Sequence, residues 1–286
     1  MSLLYKGKRL AEGFTFLVGP ENSEHKLLSL GRLHLSEKTG YYSAETNDKE
    51  VVLNILTGTC DVRVKSTTSK EIVYEKLGER STPFTGKPTM VYLPRKTSYT
   101  IIPCISPLDI AVCAAPTEQN GSPTVVRPKD VIVTSTGKAN WRRDVRLAVG
   151  ENVDAQRLIV GETLNPPGNW SGSPPHKHDA YNPSLELPFE EIYLFLVEPS
   201  QGFGLGRVYT AEDDPDPINE VYVIENNDVL SVPRGYHCIV AGPGYRLYYF
   251  FVLAGEKRQY GLFADDPKHR WLRNCEPILE EKENSL

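Results

Sequence analysis

Three of the six histidines in this chain belong to two short motifs that could together bind a metal ion. His176 and His178 form an H-x-H pair, and His237 comes two residues after the Gly of a Pro-Arg-Gly turn. In a β-strand, residues i and i+2 point to the same side, so this spacing predicts that both imidazoles of the pair face one ion. Imidazole nitrogen is a common ligand of zinc and related divalent ions. The two motifs therefore predict a metal centre.

A carboxylate that enters a β-rich segment could supply a fourth ligand. Glu190 and Glu191 are adjacent, so only one of them faces inward from a regular strand, and Tyr193 lies on the side of Glu191. Four protein ligands would leave one or two positions open to water or substrate. Asp179, directly after the H-x-H pair, either accepts a hydrogen bond from a ligand imidazole or is a solvated loop residue.

The segment 201–209 could supply substrate contacts, because it alternates small residues with Phe203, Leu205, Arg207 and Tyr209. In a strand these four share one face. We expect that face to line the barrel interior, where Arg207 would lie near the metal and could bind a carboxylate through two parallel hydrogen bonds. If the face points outward, Arg207 is an ordinary surface residue. Tyr249 lies in a second tyrosine-rich segment and is another candidate hydroxyl contact.

The elements that position these residues are predicted to be β-strands. Short runs rich in Val, Ile, Tyr, Leu and Phe are separated by 22 glycines and 22 prolines, and helical signals are scarce. Many short strands with frequent turns are typical of an all-β sandwich or barrel.

A faint internal repeat relates the two halves of the chain. Residues 92–95 (Tyr-Leu-Pro-Arg) resemble residues 231–234 (Ser-Val-Pro-Arg), and Ser98 then stands where the second half has His237. The first half also has no H-x-H pair. We therefore predict two jelly-roll domains, one at 1–145 without metal ligands and one at 146–286 that binds the metal.

Composition narrows the function classes. The net charge of −5 and the pI near 5.8 give no basic excess for nucleic acid or an anionic membrane, and no segment approaches the roughly 18 apolar residues of a membrane span. The five cysteines are dispersed without a C-x-x-C motif, which predicts reduced thiols in a cytoplasmic protein. A jelly roll without a metal leaves sheet faces and edges through which copies could associate, so the sequence allows a homo-oligomer.

Several motifs resemble the cupin superfamily and, more closely, the 5-deoxyglucuronate isomerase family of inositol catabolism. The matching segments cover most of the chain and are most specific in the second half, at 170–179 (WSGSPPHKHD), 190–193 (EEIY), 201–203 (QGF), 207–210 (RVYT) and 232–237 (VPRGYH). The resemblance implies a bicupin fold with one divalent metal per chain. It also places the ligands at His176, His178, Glu191 and His237. Cupin sites accept several ions, and both zinc and manganese fit.

The same resemblance implies an aldose–ketose isomerase that converts 5-deoxy-D-glucuronate into 5-dehydro-2-deoxy-D-gluconate. The ion would act as a Lewis acid on charge that develops between C1 and C2. Arg207 is the expected contact of the substrate carboxylate, and Glu186, Tyr209 and Tyr249 are the candidate proton carriers. The chain departs from the family at Cys238 and at Phe250-Phe251. Two alternatives therefore stay open, an Fe(II) dioxygenase and a non-catalytic bicupin that binds sugar acids.

Overall fold

The computed structural model describes residues 2–7, 10–66 and 70–284. The first half contains nine strands, which are β1 (Leu4–Tyr5), β2 (Gly13–Val18), β3 (Ser29–Leu35), β4 (Tyr42–Glu45), β5 (Lys49–Ser66), β6 (Ile72–Leu77), β7 (Thr89–Leu93), β8 (Thr97–Pro116) and β9 (Thr124–Val126). Eleven more follow, which are β10 (Ile132–Thr136), β11 (Arg143–Val149), β12 (Leu158–Asn165), β13 (Trp170–Lys177), β14 (Glu190–Glu198), β15 (Phe203–Tyr209), β16 (Asn219–Glu225), β17 (Val229–Val232), β18 (Tyr236–Ala241), β19 (Arg246–Ala254) and β20 (Ala264–Asp265). The predicted all-β class is confirmed.

Helical structure in the described residues is limited to three elements. Two are single 3-10 turns at Pro128–Asp130 and Ala139–Trp141, and the third is the terminal helix α1 (Leu272–Asn284). No helix in this part of the chain is long and apolar enough to cross a bilayer.

The strands form three antiparallel sheets. The first sheet has the order β2-β3-β8-β5-β7-β9, with β4 added to β8 and β6 added to β5. The second, or central, sheet has the order β1-β17-β14-β19-β12-β11-β10, and the third, or outer, sheet has the order β16-β15-β18-β13-β20.

The central sheet is buried on both of its faces. Along β19 and β14, one set of alternate residues packs against the first sheet, including Leu194 and Phe250. The other set packs against the outer sheet, including Phe195 and Phe251. A strand that is covered on both faces has a continuous apolar sequence, which explains the residues at 192–197 and 247–254. A third core lies within the first half, between the curled strands β5 and β8.

Sheet membership changes between Val126 and Ile132, earlier than the boundary predicted near residue 145. Strand β10 pairs with β11 in the central sheet, although the predicted boundary assigns β10 to the first half. Strand β1, at the very start of the chain, also joins the central sheet through β17. The pairing of β1 with β17 is long-range, and the pairing of β10 with β11 crosses the polar segment 137–142, so no local sequence pattern predicts either pairing.

The two Pro-Arg turns of the internal repeat occupy equivalent places in the fold. One joins β7 to β8 and the other joins β17 to β18. Each has a residue with positive φ directly after the arginine, Lys96 at 56° and Gly235 at 91°. Ser98 and His237 then follow as the second residues of their strands.

Buried carboxylates connect the two halves. Glu50 of β5 is fully buried and accepts hydrogen bonds of 2.8 Å from the backbone N–H groups of residues 156–158. In the reverse direction, Glu190 of β14 accepts hydrogen bonds from the backbone N–H groups of residues 26–28 at 2.7 to 3.0 Å. Each half therefore fixes a backbone segment of the other with a side chain.

Candidate metal centre

The three predicted histidines converge between the outer and central sheets. His176 is the penultimate residue of β13, His178 follows the end of that strand, and His237 lies on β18. Each offers a ring nitrogen, and these nitrogens lie within 4.8 Å of one another. The ring centroids of His176 and His237 are 4.6 Å apart, and those of His178 and His237 are 5.1 Å apart. Within the described residues this is the one cluster with such spacing.

An irregularity in β13 brings His176 opposite His237. Ser171 is in register with Ile239, but the next register pair joins His176 to His237. Four residues of β13 therefore bulge against a single residue of β18. Gly172 begins the bulge with φ of +66°, and a Cβ atom there would lie 3.0 Å from the carbonyl oxygen of His237. The backbone turns here at a position that only glycine fits without strain.

Glu191 reaches the cluster from the central sheet. Its Oε2 lies 2.9 Å from Nε2 of His178 and 3.2 Å from Nε2 of His237. Burial alone would raise the pKa of this carboxyl, but its contacts with the two imidazoles outweigh burial and hold the pKa well below the usual range. Glu190 faces the opposite side of β14, as strand parity requires. The carboxylate beside the histidines is thus the one that the resemblance implied.

The electrostatics of the imidazoles follow from their distance to Glu191. Burial lowers the pKa of His178, but the hydrogen bond to Glu191 more than compensates and the pKa is raised. His176 has no such bond. Burial and the neighbouring imidazoles of His237 and His178 hold its pKa well below the ordinary value. Neutral His176 is therefore ready to donate a nitrogen lone pair to a cation.

The donor set fits a divalent ion. Nδ1 of His178 contacts the carbonyl oxygen of Phe189 at 2.9 Å, and Nδ1 of His237 contacts the carbonyl oxygen of Gly235 at 3.2 Å. These contacts place a proton on Nδ1 of each ring, so both Nε2 atoms, which face Oε2 of Glu191, become lone-pair donors when a cation replaces the proton beside that carboxylate. Nε2 of His237 is buried and makes no well-aligned hydrogen bond, and Oε2 of Glu191 lies 3.2 Å from it. A metal ion would satisfy that atom.

A polar network supports the two segments that carry the histidines. Oδ2 of Asp179 accepts a 2.7 Å hydrogen bond from the backbone N–H of Gly235, whose carbonyl contacts His237. Asp179 also pairs with Lys177. Asp179 thus acts on a ligand through the backbone, rather than by the direct imidazole contact considered from the sequence.

Glu186 belongs to this network and does not line the cavity. It is buried, and it accepts hydrogen bonds from Lys177 at 2.8 Å and from the backbone N–H groups of Asp179 and Ala180 at 2.7 and 2.9 Å. Its position corrects the prediction of a proton carrier. Glu186 closes the loop that follows His178.

A cavity of about 260 Å³ opens beside the histidines. This volume lies just below the roughly 300–1,000 Å³ of pockets for drug-sized ligands, so it suits a small metabolite. Its walls include His176, Glu191 and His237 together with hydroxyl groups, an arginine pair and one further carboxylate, namely Ser171, Thr163, Tyr193, Tyr249, Tyr260, Arg143, Arg273 and Asp265.

Tyr249 lies in this cavity, as a candidate substrate contact should. Its hydroxyl contacts Oγ of Ser171. Burial is the main cause that raises the pKa of Tyr249, and it also raises the pKa values of Tyr193 and Tyr260. The three phenols are therefore protonated at neutral pH and can donate hydrogen bonds or protons to a ligand.

Arg207 and Tyr209 lie on the other side of the outer sheet, so the prediction that their face lines the barrel interior is wrong. The exposed members of β15 are Phe203 and Leu205, which share the face of Arg207. Arg207 stacks over the ring of Tyr209 at 4.0 Å, and the hydroxyl of Tyr209 donates a 2.6 Å hydrogen bond to Asp266. Both residues border a separate surface cavity.

Cys238 lines the cavity but is not a member of the imidazole cluster. It is opposite Arg207 in strand register, and burial raises the pKa of its thiol to about 11. All five cysteines are unpaired, in agreement with the predicted reduced thiols.

Three charged residues line the cavity without having been predicted from the sequence, namely Arg143, Asp265 and Arg273. Arg143 shares the face of Val145 and Leu147 on β11, and both of these pack into the core between the central and outer sheets. That alternation is a usable signal, but the polar residues just before it, 137–144, favour a junction between domains. Asp265 is paired in register with His176, and no local pattern announces this two-residue strand.

Comparison with known proteins supports the family resemblance. The chain is 33% identical over 272 residues to a protein named 5-deoxy-glucuronate isomerase from Geobacillus thermodenitrificans, with 95% of each chain covered. It is 36% identical over 240 residues to a protein of the same name from Geobacillus kaustophilus, covering 84% of this chain and 83% of the other. These relatives confirm the predicted enzyme class, an isomerase of the aldose–ketose type.

Solved structures support the fold. An IolB-like protein from Salmonella typhimurium LT2 superposes with a TM-score of 0.86 at 28% identity, covering 96% of this chain and all of the other. An oxalate decarboxylase from Lactobacillus farciminis superposes with a TM-score of 0.65 at 11% identity, covering 97% and 90%. The second likeness shows the fold alone, which is that of the cupins.

The family model that matches this chain extends over residues 3–272 and so includes both sheets that build the metal centre. Because this match covers nearly the whole chain, and relatives above 30% identity are covered over most of their length, the chain belongs to the KduI/IolB family.

Proposed function

We propose that this chain is a metal-dependent isomerase that converts 5-deoxy-D-glucuronate into 5-dehydro-2-deoxy-D-gluconate in inositol catabolism. The observation that carries the proposal is the cluster of three imidazoles with Glu191 at the wall of a small cavity. The names of the curated relatives supply the substrate. Zinc and manganese both suit three nitrogen ligands and one carboxylate.

The reaction needs no external oxidant. The hydrogen on the hydroxyl-bearing carbon moves to the aldehyde carbon, and a proton moves between their two oxygen atoms. A divalent ion held by His176, His178, Glu191 and His237 would polarise those oxygens as a Lewis acid. The chain's own residues must orient the sugar and transfer the proton.

Tyr249 is the candidate for the proton transfer among the residues predicted from the sequence. It is protonated, it lines the cavity, and its contact with Ser171 provides a second hydroxyl through which a proton could pass. Glu186, Arg207 and Tyr209 have no part in this proposal, because they lie outside the cavity.

We also propose three features of the whole chain. The first is a bicupin organisation, with one half at 1–145 and a metal-binding half at 146–286. The second is a cytoplasmic location, which the five free cysteines support. The third is a homo-oligomer, which the exposed apolar residues of the outer sheet, such as Leu205 and Val221, support.

The first test compares metal content and turnover of 5-deoxy-D-glucuronate in the wild type, in His178→Ala and in the control His34→Ala. His34 lies on β3 in the first sheet, outside the cluster. We expect about one divalent ion per chain in the wild type and the control, with activity that a chelator removes and zinc or manganese restores. His178→Ala should lose both the ion and the activity.

Other outcomes select other functions. Oxygen consumption that requires Fe(II) would identify a dioxygenase. Tight binding of the sugar acid to the metal-loaded protein, without any product, would identify a non-catalytic binding protein. Turnover that persists in fully metal-free protein would contradict the proposed mechanism.

A further inference from the structure

Arg143 is a buried cation that lacks an ion-pair partner within the described part of the chain. Its side chain lines the metal cavity and the residue is only 8% exposed. One guanidinium nitrogen, Nη1, donates a 3.3 Å hydrogen bond to the carbonyl oxygen of Trp141, and Nε has no partner. Burial lowers the pKa of this guanidinium, and Glu276 opposes the shift only from beyond ion-pair distance.

The other buried arginines are paired. Arg32, at 5% exposure, donates to both carboxylate oxygens of Asp109. Arg80, at 7% exposure, donates to both carboxylate oxygens of Glu162. Burying a cation without a counter-ion is costly, so proteins rarely do it without a compensating contact. Arg143 therefore lacks a carboxylate partner, whereas Arg32 and Arg80 each have one.

We infer that Arg143 binds the carboxylate of the sugar acid in the metal cavity and so determines the preference for acids over neutral sugars. This inference rests on the proposed function, because it assumes that the cavity receives that substrate. A planar guanidinium matches a carboxylate through two parallel hydrogen bonds. Arg143, His176 and Tyr249 line the same cavity, so a ligand there could contact all three.

Two other arginines are less suited to this role. Arg273 also lines the cavity, but it already donates to both carboxylate oxygens of Asp265, at 2.9 and 3.0 Å. Arg207, the expected carboxylate contact, stacks on Tyr209 on the outer face of the sheet. Arg143 is the arginine that combines burial, access to the cavity and a free donor.

The test measures kinetics of the metal-loaded enzyme on 5-deoxy-D-glucuronate and on 5-deoxy-D-glucose, in which a hydroxymethyl group replaces the carboxylate. Arg143→Gln should lower kcat/KM for the acid by about 10- to 100-fold, chiefly through KM, and leave the neutral sugar almost unaffected. Metal content should not change. Arg142→Gln is the matched control, because Arg142 is the adjacent arginine and is exposed.

Two further variants keep the inference falsifiable. Arg143→Lys retains the charge but not the paired donors, so it should show intermediate discrimination. If Arg143→Gln does not fold, Arg143→Lys with full wild-type discrimination overturns the inference. Preserved discrimination in a folded Arg143→Gln overturns it too, as does a loss of discrimination in Arg207→Gln alone.

A binding measurement separates this inference from the proposed function. Calorimetry with D-glucuronate and D-glucose on the metal-loaded protein compares acid with neutral sugar without turnover. If the wild type fails to isomerise 5-deoxy-D-glucuronate, the proposed function fails. Arg143→Gln must still abolish the preference for glucuronate, and a preference that survives the substitution contradicts the role of Arg143.

Discussion

Tyr248 and Tyr249 are neighbours in sequence, yet their hydroxyl groups serve different parts of the molecule. Tyr249 faces the metal cavity and contacts Ser171. Tyr248 faces the first sheet and donates a 2.6 Å hydrogen bond to Glu162, a carboxylate that also pairs with Arg80. The pair therefore offers a comparison in which identical chemical changes test two different roles.

We expect Tyr249→Phe to lower kcat by about 100-fold or more, because the substitution removes a group proposed to transfer a proton. Metal content and the midpoint of thermal unfolding should change little. Tyr248→Phe should instead lower the free energy of unfolding by about 2 kcal/mol, because a buried carboxylate loses a donor. Its kcat should match that of the wild type. Equal effects of the two variants on kcat would show that Tyr249 has no particular role in catalysis.

At the residue scale, strand parity predicted some placements and failed on others. It put Glu191 and Tyr193 on one side of β14, and the structure has both in the cavity wall. The alternation of small and large residues in β15 was also predicted, but the larger side chains were expected to face inward, and they face outward. The glycines face inward, because a Cβ atom on Gly204 would lie 2.9 Å from Leu247 and one on Gly206 would lie 2.9 Å from Ile224. Neighbouring strands fill that space, and a single strand's sequence does not reveal it.

At the scale of the element, the bulge in β13 decides whether the histidines meet. A regular strand would keep one residue opposite one residue, and His176 would not then lie opposite His237. The H-x-H spacing predicted a shared direction for two imidazoles. It could not predict the register shift that brings the third imidazole, that of His237, beside them, since a bulge leaves no periodic pattern in the sequence.

Gly172→Ala tests the bulge, and Gly168→Ala is its matched control. Both glycines have positive φ, +66° and +74°, so either substitution should cost about 1–2 kcal/mol of stability. Only the Cβ at Gly172 would press on the carbonyl of His237, since nothing lies within 4 Å of a Cβ at Gly168. Zinc titration by calorimetry should therefore show affinity about 10-fold weaker in Gly172→Ala and unchanged in Gly168→Ala. Unchanged affinity in both would mean that the bulge does not set the ligand geometry.

At the scale of the whole molecule, the halves are joined by an apolar interface and by reciprocal carboxylate contacts. Glu50 accepts hydrogen bonds from three backbone N–H groups and from the hydroxyl of Tyr92. Glu190 accepts hydrogen bonds from three further backbone N–H groups. Because Glu190 is adjacent to Glu191, the contact between the halves and the metal centre share one strand. The first half thus supports the site although it has no such cluster in its described residues.

Glu50→Gln should lower the free energy of unfolding by about 3 kcal/mol, because an amide has one acceptor oxygen where the carboxylate had two. The measurement is guanidinium denaturation of the metal-free protein. Glu75→Gln, an exposed site on β6, is the control and should change stability by less than about 0.5 kcal/mol. A Glu50→Gln variant as stable as this control would show that the contact contributes nothing to the union of the halves.

The all-β class and the internal repeat can be predicted from local sequence patterns, whereas the sheet to which each strand belongs cannot. Turn residues and β-branched runs are local signals, and the Pro-Arg turns repeat recognisably. The assignment of β10 and β1 to the central sheet depends on partners such as β17, which lies more than 200 residues from β1. Such pairings are decided by the packing of the complete chain, and the sequence near residue 145 does not reveal them.

The two-sided burial of the central sheet also limits how the chain length can vary. Within β14 and β19, alternate residues face the cavity and the first sheet, so one inserted residue would exchange the two sets beyond that point. An insertion at the start of β14 would turn Glu191 away from the histidines, and one at the start of β19 would turn Tyr249 out of the cavity. Lineages that inherit this architecture can therefore gain or lose residues in exposed connections such as 211–217, whereas the lengths of these strands must be kept.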